Sequence, residues 1–362
     1  FLPTMVASEP SHQPKFSKVQ IPSKISCDAQ LSPDGKEIAF GSEDKLWIAP
    51  RGGKLRPDYP GMPRPLDTGG IPVERIGFAW SRDGRWFAFT DSRAIKEEGR
   101  KGNQRIYMVP AKGGEARQVH ETNRHSRIVN YQMALSPNGK TLAFSSFDAH
   151  EIYLETISVD GGLPKRLVDA PAREPAFSPD GRTIAYVENK KMGVEGGGLW
   201  TVPAEGGAST LVADANNASS PIWSPDGSMI AFIDTGMGNQ IYIVGVERDG
   251  KPTGQKFKVD RPDGTVGVGR LAGWTPDNKI GVICAKKVET ALYTQPVQGG
   301  KATFLAIGGG AQPRWSPDGK RVYHTNRADE ASGDWKKNAI AYVPALGGDV
   351  MTVPITSKEK IT

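Results

Sequence analysis

Two cysteines, Cys27 and Cys284, are all that 362 residues contain, so a disulfide framework does not hold this chain together. No apolar run approaches the roughly 20 residues that a membrane-spanning helix needs. No block of like charge occurs either. The 46 basic residues are interleaved with 40 acidic ones, which spreads the net charge of +6 over the surface and argues against a nucleic-acid-binding arm. GxSxG, GxxxxGK[ST], CxxC and HExxH are all missing, and with them the common signatures of serine hydrolases, P-loop enzymes, thiol oxidoreductases and zinc peptidases. The five histidines show no HxH or HxxxH spacing, so neither a metal nor a cofactor is expected. The glycine runs at Gly196–Gly198 and Gly308–Gly310 fall between strand-like segments and read as loop punctuation, not phosphate cradles.

Turn residues, in contrast, are abundant, with 43 glycines and 28 prolines. They belong to one phrase written seven times: LSPDGKEIAF from Leu31, WSRDGRWFAF from Trp80, LSPNGKTLAF from Leu135, FSPDGRTIAY from Phe177, WSPDGSMIAF from Trp223, WTPDNKIGVI from Trp274 and WSPDGKRVYH from Trp315. Intervals of 41 to 55 residues give one supersecondary unit per repeat. Ser-Pro-Asp-Gly is turn chemistry: Pro fixes φ, Asp can bond a nearby backbone N–H, and Gly tolerates positive φ. Each phrase is therefore a hairpin corner between a strand ending in Trp, Phe or Leu and a strand opening on an I-A-F stretch. A third strand follows, such as LWIAP at Leu46–Pro50, IYMVP at Ile106–Pro110 or LWTVP at Leu199–Pro203. Then come a Gly-Gly or Asp-Gly turn and a short fourth strand.

Four antiparallel strands per repeat leave two apolar faces that only like neighbours can bury, so the expected fold is all-β, a seven-bladed β-propeller of four-stranded antiparallel blades. The aromatic ladder Phe40, Phe89, Phe144, Tyr186 and Phe232 is read as packing between blades. Residues 19–355 form the single propeller, with an N-terminal extension at 1–18 and a C-terminal tail at 356–362. Closure leaves two alternatives. Lys18–Pro22 can clasp the outer edge of the seventh blade, whose own candidate strand is Asp349–Ile355, or the chain comes from a longer protein. Cys27 and Cys284 fall in blades 1 and 6, too far apart in such a ring to pair.

The phrase W-SPDG-x-x-IAF, followed by IYxVP and GG, resembles the TolB-like propeller repeat over roughly Val19 to Pro354. That resemblance links the chain to periplasmic TolB proteins and to the propeller domains of prolyl-oligopeptidase-like and tricorn-like proteases. It implies a periplasmic or extracellular location. The sixth repeat departs from it with Asn278 in place of the turn Gly, and the seventh with Tyr323 and His324 in place of Ala and an aromatic.

Antiparallel alternation puts the SPDG corners and GG turns on one face and the longer, unlike connections on the other, the face where grafted sites sit. The candidate ligand-binding residues on that long-loop face are His120, Arg124, His125, Arg127, Tyr131, His150, Glu188, Arg270, Gln312, Arg327 and Trp335. His120, His125 and His150 beside Arg124, Arg127 and Tyr131 suit an acidic ligand or a proton-transfer group, and equally suit exposed loop histidines brought near each other by the fold. The first functional expectation is a monomeric binding scaffold for a protein or peptide partner. A second is a polysaccharide lyase on uronate-containing, acidic glycans, with His125, His150, Tyr131 and Arg127 in catalysis. A third is the propeller portion of a larger peptidase or hydrolase.

Overall fold

The computed structural model describes residues 25–352, apart from 33–36, 43, 51–63, 92–103, 123–125, 149–151, 190–196, 237, 263–264, 266, 276–278, 286–289, 298–301, 308–313, 317–319, 328–337 and 345–350. Among them every element is a strand, and the strands make seven four-stranded sheets. The first holds β1 (Ile25–Leu31), β2 (Glu37–Ser42), β3 (Lys45–Pro50) and β4 (Arg64–Pro65). The second holds β5 (Val73–Trp80), β6 (Trp86–Asp91), β7 (Arg105–Pro110) and β8 (Arg117–Glu121). The third has β9 (Ser126–Leu135), β10 (Thr141–Asp148), β11 (Ile152–Ser158) and β12 (Lys165–Arg166). The fourth has β13 (Ala172–Phe177), β14 (Thr183–Asn189), β15 (Gly197–Pro203) and β16 (Thr210–Ala215). In the fifth lie β17 (Ala218–Trp223), β18 (Met229–Asp234), β19 (Gln240–Gly245) and β20 (Phe257–Val259). In the sixth lie β21 (Gly267–Trp274), β22 (Lys279–Ala285), β23 (Thr290–Pro296) and β24 (Thr303–Ile307). The seventh consists of β25 (Arg314–Trp315), β26 (Arg321–Arg327), β27 (Asn338–Pro344) and β28 (Met351–Thr352).

Each sheet is an antiparallel meander in chain order, so every SPDG corner is the hairpin between first and second strands. The first strands of successive sheets lie beside one another, β1 to β5, β5 to β9 and onward to β21 and β25, and β1 also lies against β25, β26 and β27 of the seventh sheet. The outer edge of that sheet is β28, supplied from within the expected Asp349–Ile355 segment and paired to β27. Lys18–Pro22 falls outside the described residues.

The core is distributed between the sheets. Phe78, Phe87 and Phe89 of the second sheet pack on Leu46, Ile48 and Leu66 of the first. Phe144 and Leu142 of the third sheet meet Ile106 and Met108 of the second. Tyr186 and Ile184 of the fourth join Leu154, Leu167 and Val168 of the third. Phe232 packs on Val187 and Leu199, and Trp274 and Val282 pack on Ile241 and Ile243. Phe89, Phe144 and Phe232 have no exposed surface, and Tyr186 has 2%. These four ladder residues pack between neighbours, and the side chain of Phe40 falls outside the described residues. Directed bonds reinforce it: the indole N–H of Trp223 donates to the Ala176 carbonyl at 3.0 Å, and that of Trp274 donates to Ile222 at 3.2 Å. Cys284 is buried as a free thiol in β22, and burial raises its pKa to about 11, which keeps it protonated and inert.

The turns between third and fourth strands also press on the preceding sheet. Gly250 has φ +85°, and a Cβ there would sit 2.8 Å from Thr183 Cγ2 and 2.9 Å from Thr201 Oγ1. The Thr201 hydroxyl donates to the Gly250 carbonyl at 2.9 Å, which seats the turn on the fourth sheet. Gly250→Ala is expected to destabilise the protein by about 1–3 kcal/mol in urea unfolding, through both the clash and the left-handed backbone; an unchanged midpoint would show that this contact is dispensable.

Candidate functional site

Two faces result from this geometry. The corner face is nearly uniform. In the second to fifth sheets a buried serine hydroxyl donates to the turn residue two positions on: Ser81 to Asp83 at 2.6 Å, Ser136 to Asn138 at 2.7 Å, Ser178 to Asp180 at 2.7 Å and Ser224 to Asp226 at 2.6 Å. The same hydroxyls accept the N–H that opens the second strand, from Trp86, Thr141, Thr183 and Met229. One serine thus closes the corner from both sides. Adjacent corners touch, since a Cβ on Gly181 would lie 3.1 Å from Cδ of Pro137 in the preceding sheet.

The first strands carry bulges opposite the second strands. Register shifts occur between Val73 and Phe78, between Ile128 and Met133, between Arg173 and Ala176, and between Ser219 and Ile222. Glu174 and Ser220 take the left-handed conformation there, with φ +58° and +55°. The Ser220 N–H donates to Glu174 Oε2 at 2.6 Å, so one strained bulge is tied to the next.

The long-loop face is built from unlike parts. In the second sheet Arg105 lies 3.7 Å from the fully buried Asp91 and 3.1 Å from Glu121. Gln104 donates its N–H to Thr122 Oγ1 at 2.8 Å, and its side-chain oxygen accepts from Ile128 N–H at 2.7 Å. This clamp joins both ends of the second sheet's outer hairpin to the first strand of the third. The fifth sheet uses another device: Asp234 accepts from the N–H groups of Asn216, Asn217 and Gly236 at 3.1–3.3 Å.

Of the candidate residues, His120 and Glu188 are described in full. His120 belongs to β8, pairs with Ile106, and stacks its half-buried ring 5.6 Å from Phe144. Burial lowers its pKa, while Glu155 and Glu121 oppose that shift. It is a packing residue between the second and third sheets. Glu188 is the penultimate residue of β14 and lies opposite Ala172, the register that Asp91 holds opposite Val73 and Asp234 holds opposite Ala218. Arg127 and Tyr131 lie in β9, Arg270 in β21 and Arg327 in β26, so their backbones stand on the first or second strands of their sheets. Arg124, His125, His150, Gln312 and Trp335 fall outside the described residues. Among the described residues no three His, Cys, Asp or Glu side chains are grouped as metal ligands would be.

Sequence reasoning missed the clamp, although its signal was available. Phe89-Thr-Asp91, Tyr186-Val-Glu188 and Phe232-Ile-Asp234 place an acid two residues after the ladder aromatic. It also missed a pocket of about 360 Å³ on the corner face, between the fourth and fifth sheets.

No family model matches the chain. An uncharacterised protein of Agrobacterium fabrum is 25% identical over 205 residues, covering 56% of this chain and 63% of that one, so the match spans less than two thirds of that relative's length. Among solved structures, a TolB candidate from Agrobacterium tumefaciens superposes with TM-score 0.50 at 20% identity, covering 90% of this chain and 91% of that one. An oligogalacturonate lyase from Vibrio parahaemolyticus gives TM-score 0.64 at 15% identity, covering 90% of each chain. The tricorn protease gives 0.63 at 14% identity, covering 94% of this chain but 35% of its own. In fold, the chain is a β-propeller like these structures. No helix among the described residues is long and apolar enough to cross a membrane.

The corner carboxylates carry a pH signature. Donation from Ser178 and Ser224 lowers the pKa of Asp180 and Asp226, with help from the N–H of Arg182 and Ser228. A carboxylate with a lowered folded-state pKa contributes stability above its unfolded value near 3.9, and that contribution is lost as pH falls through the folded value. Asn138 makes the same turn bonds without a charge. The double variant Asp180→Asn, Asp226→Asn is therefore expected to show a shallower fall of Tm between about pH 5 and pH 3 than the parent. Identical acid limbs would remove this assignment.

Proposed function

We propose that this chain is a binding propeller whose seven sheets are the seven blades of one closed ring, spanning 19–355, and that it works outside the cytoplasm, in the periplasm or beyond the cell. Its partner is a protein or peptide held on the long-loop face around the channel mouth. The observation that carries this reading is the contrast between the faces. The corner face repeats one serine-centred turn from sheet to sheet, whereas the opposite face is built by an arginine–glutamine clamp in one sheet and an aspartate cap in another. A rigid, repeated frame with individually furnished ends is how propellers and other scaffolds separate stability from recognition. In this reading the chain works as a monomer.

A second reading rests on the oligogalacturonate lyase, which matches over 90% of both chains and so shares the whole extent of the fold. Under it, Arg127 would neutralise a uronate carboxylate while His125, His150 and Tyr131 handle the proton. The tricorn likeness supports a third arrangement, a propeller attached to a hydrolase in a longer protein.

Photo-crosslinking amino acids installed in cells at Arg127 and Arg327, with Lys140 and Lys320 on the corner face as controls, test the first reading. Protein adducts concentrated at the first pair are expected; adducts confined to the controls would contradict it. Incubation with oligogalacturonate separates the second reading. The scaffold reading expects no rise in ultraviolet absorbance from an unsaturated product. A rise that is abolished by His125→Ala and Tyr131→Phe would assign the lyase activity instead.

A further inference from the structure

The pocket on the corner face has no part in the reading above. Pro179, Asp180 and Arg182 of the fourth sheet, Trp223 and Asp226 of the fifth, and Arg248 from the fifth sheet's outer turn surround about 360 Å³ of open space. Arg182 and Arg248 come from different sheets, yet the Thr183 hydroxyl donates to the Arg248 carbonyl at 3.4 Å. Their backbones are thus held together across the junction. A third guanidinium arrives from the second sheet, because Arg82 donates to the Pro179 carbonyl at 3.4 Å.

None of these three arginines is in an ion pair with another described residue. The two nearby carboxylates are each engaged by their own turn through one oxygen, and the Arg182 charge also acts on Asp180. Asp180 Oδ1 accepts from Ser178 and from Arg182 N–H, and Asp226 Oδ1 accepts from Ser224 and twice from Ser228. Trp223 has its indole N–H turned inward to Ala176, so it offers the pocket apolar ring rather than a donor. Guanidinium forks outside ion-pair distance of any described carboxylate, beside an apolar wall, suit a carboxylate on a hydrocarbon stem. That is the chemistry of a glutamate side chain.

We propose that the junction of the fourth and fifth sheets on the corner face is a second binding site, which takes an acidic peptide segment. A glutamate carboxylate sits between Arg182 and Arg248 with its methylenes on Trp223, and Arg82 adds attraction from the side nearest the axis. Two opposed faces would then let one propeller hold two partners at once.

Fluorescence polarisation with a fluorescein-labelled octaglutamate peptide, read at low salt on the full chain, tests this. Saturable binding is expected, weakened roughly tenfold or more in the double variant Arg182→Ala, Arg248→Ala and weakened also by added salt. Both side chains are exposed, so the variant's Tm should match the parent's. The double variant Lys112→Ala, Lys140→Ala removes the same charge elsewhere and should bind as the parent does. No saturable binding, an unchanged affinity in the arginine variant, or an equal loss in the lysine variant would each overturn the proposal. So would displacement of the peptide by oligogalacturonate at lower concentration than by unlabelled octaglutamate, since that identifies an acidic sugar as the ligand. Variants of the long-loop face, Arg127→Ala and Arg327→Ala, leave peptide binding intact if the two sites are separate, so this proposal and the long-loop reading fail independently.

Discussion

Burial of one sheet's face against the next is the constraint on which the rest of this molecule depends. No sheet of four short strands can bury both its faces alone. Among the described residues the large apolar clusters each span two consecutive sheets, as Phe232 does when it packs against Val187 and Leu199. Fully burying such a side chain contributes about 1.5–3 kcal/mol, and removing it leaves a cavity as well. The Trp223 and Trp274 bonds add direction to that adhesion, each indole reaching the carbonyl of a neighbouring first strand.

Adhesion on this scale frees the strand ends from structural duty, and the two sets of ends then diverge. On the corner face the hydroxyls of Ser81, Ser136, Ser178 and Ser224 do the same work in four successive sheets. On the opposite face Asp91 belongs to a salt-bridged clamp, while Asp234, at the same register, caps a chain connection. On the first strands, Glu174 links two left-handed bulges. Where two corners and an outer turn meet, three arginines converge that no single repeat contains.

How much of this was legible in the sequence depended on whether a feature lives within one repeat or between two. The corner hairpins, the third strands and the buried ladder were readable because the SPDG phrase fixes register and Phe89, Phe144, Tyr186 and Phe232 recur at one offset from it. Fourth strands as short as Arg64–Pro65 and Lys165–Arg166 carry no alternation from which to read their bounds. The bulges were invisible, since an extra residue in β9 or β13 leaves the next phrase untouched. His120 was assigned to a loop cluster because its blade's outer strand extends through Glu121, further than the sequence pattern indicates. Arg182 and Arg248 could not be paired from sequence, for only the seating of one turn on the preceding sheet brings them together.

The central claim is that the sheets stand by mutual burial, so the whole array of sheets should lose stability when one junction is emptied. Urea unfolding of Phe232→Ala, followed at once by tryptophan fluorescence and far-ultraviolet circular dichroism, tests this most directly. The account predicts one coincident transition in parent and variant alike, displaced in the variant by about 3–5 kcal/mol. Separate transitions for the two probes, or a displacement below about 1 kcal/mol, would contradict it.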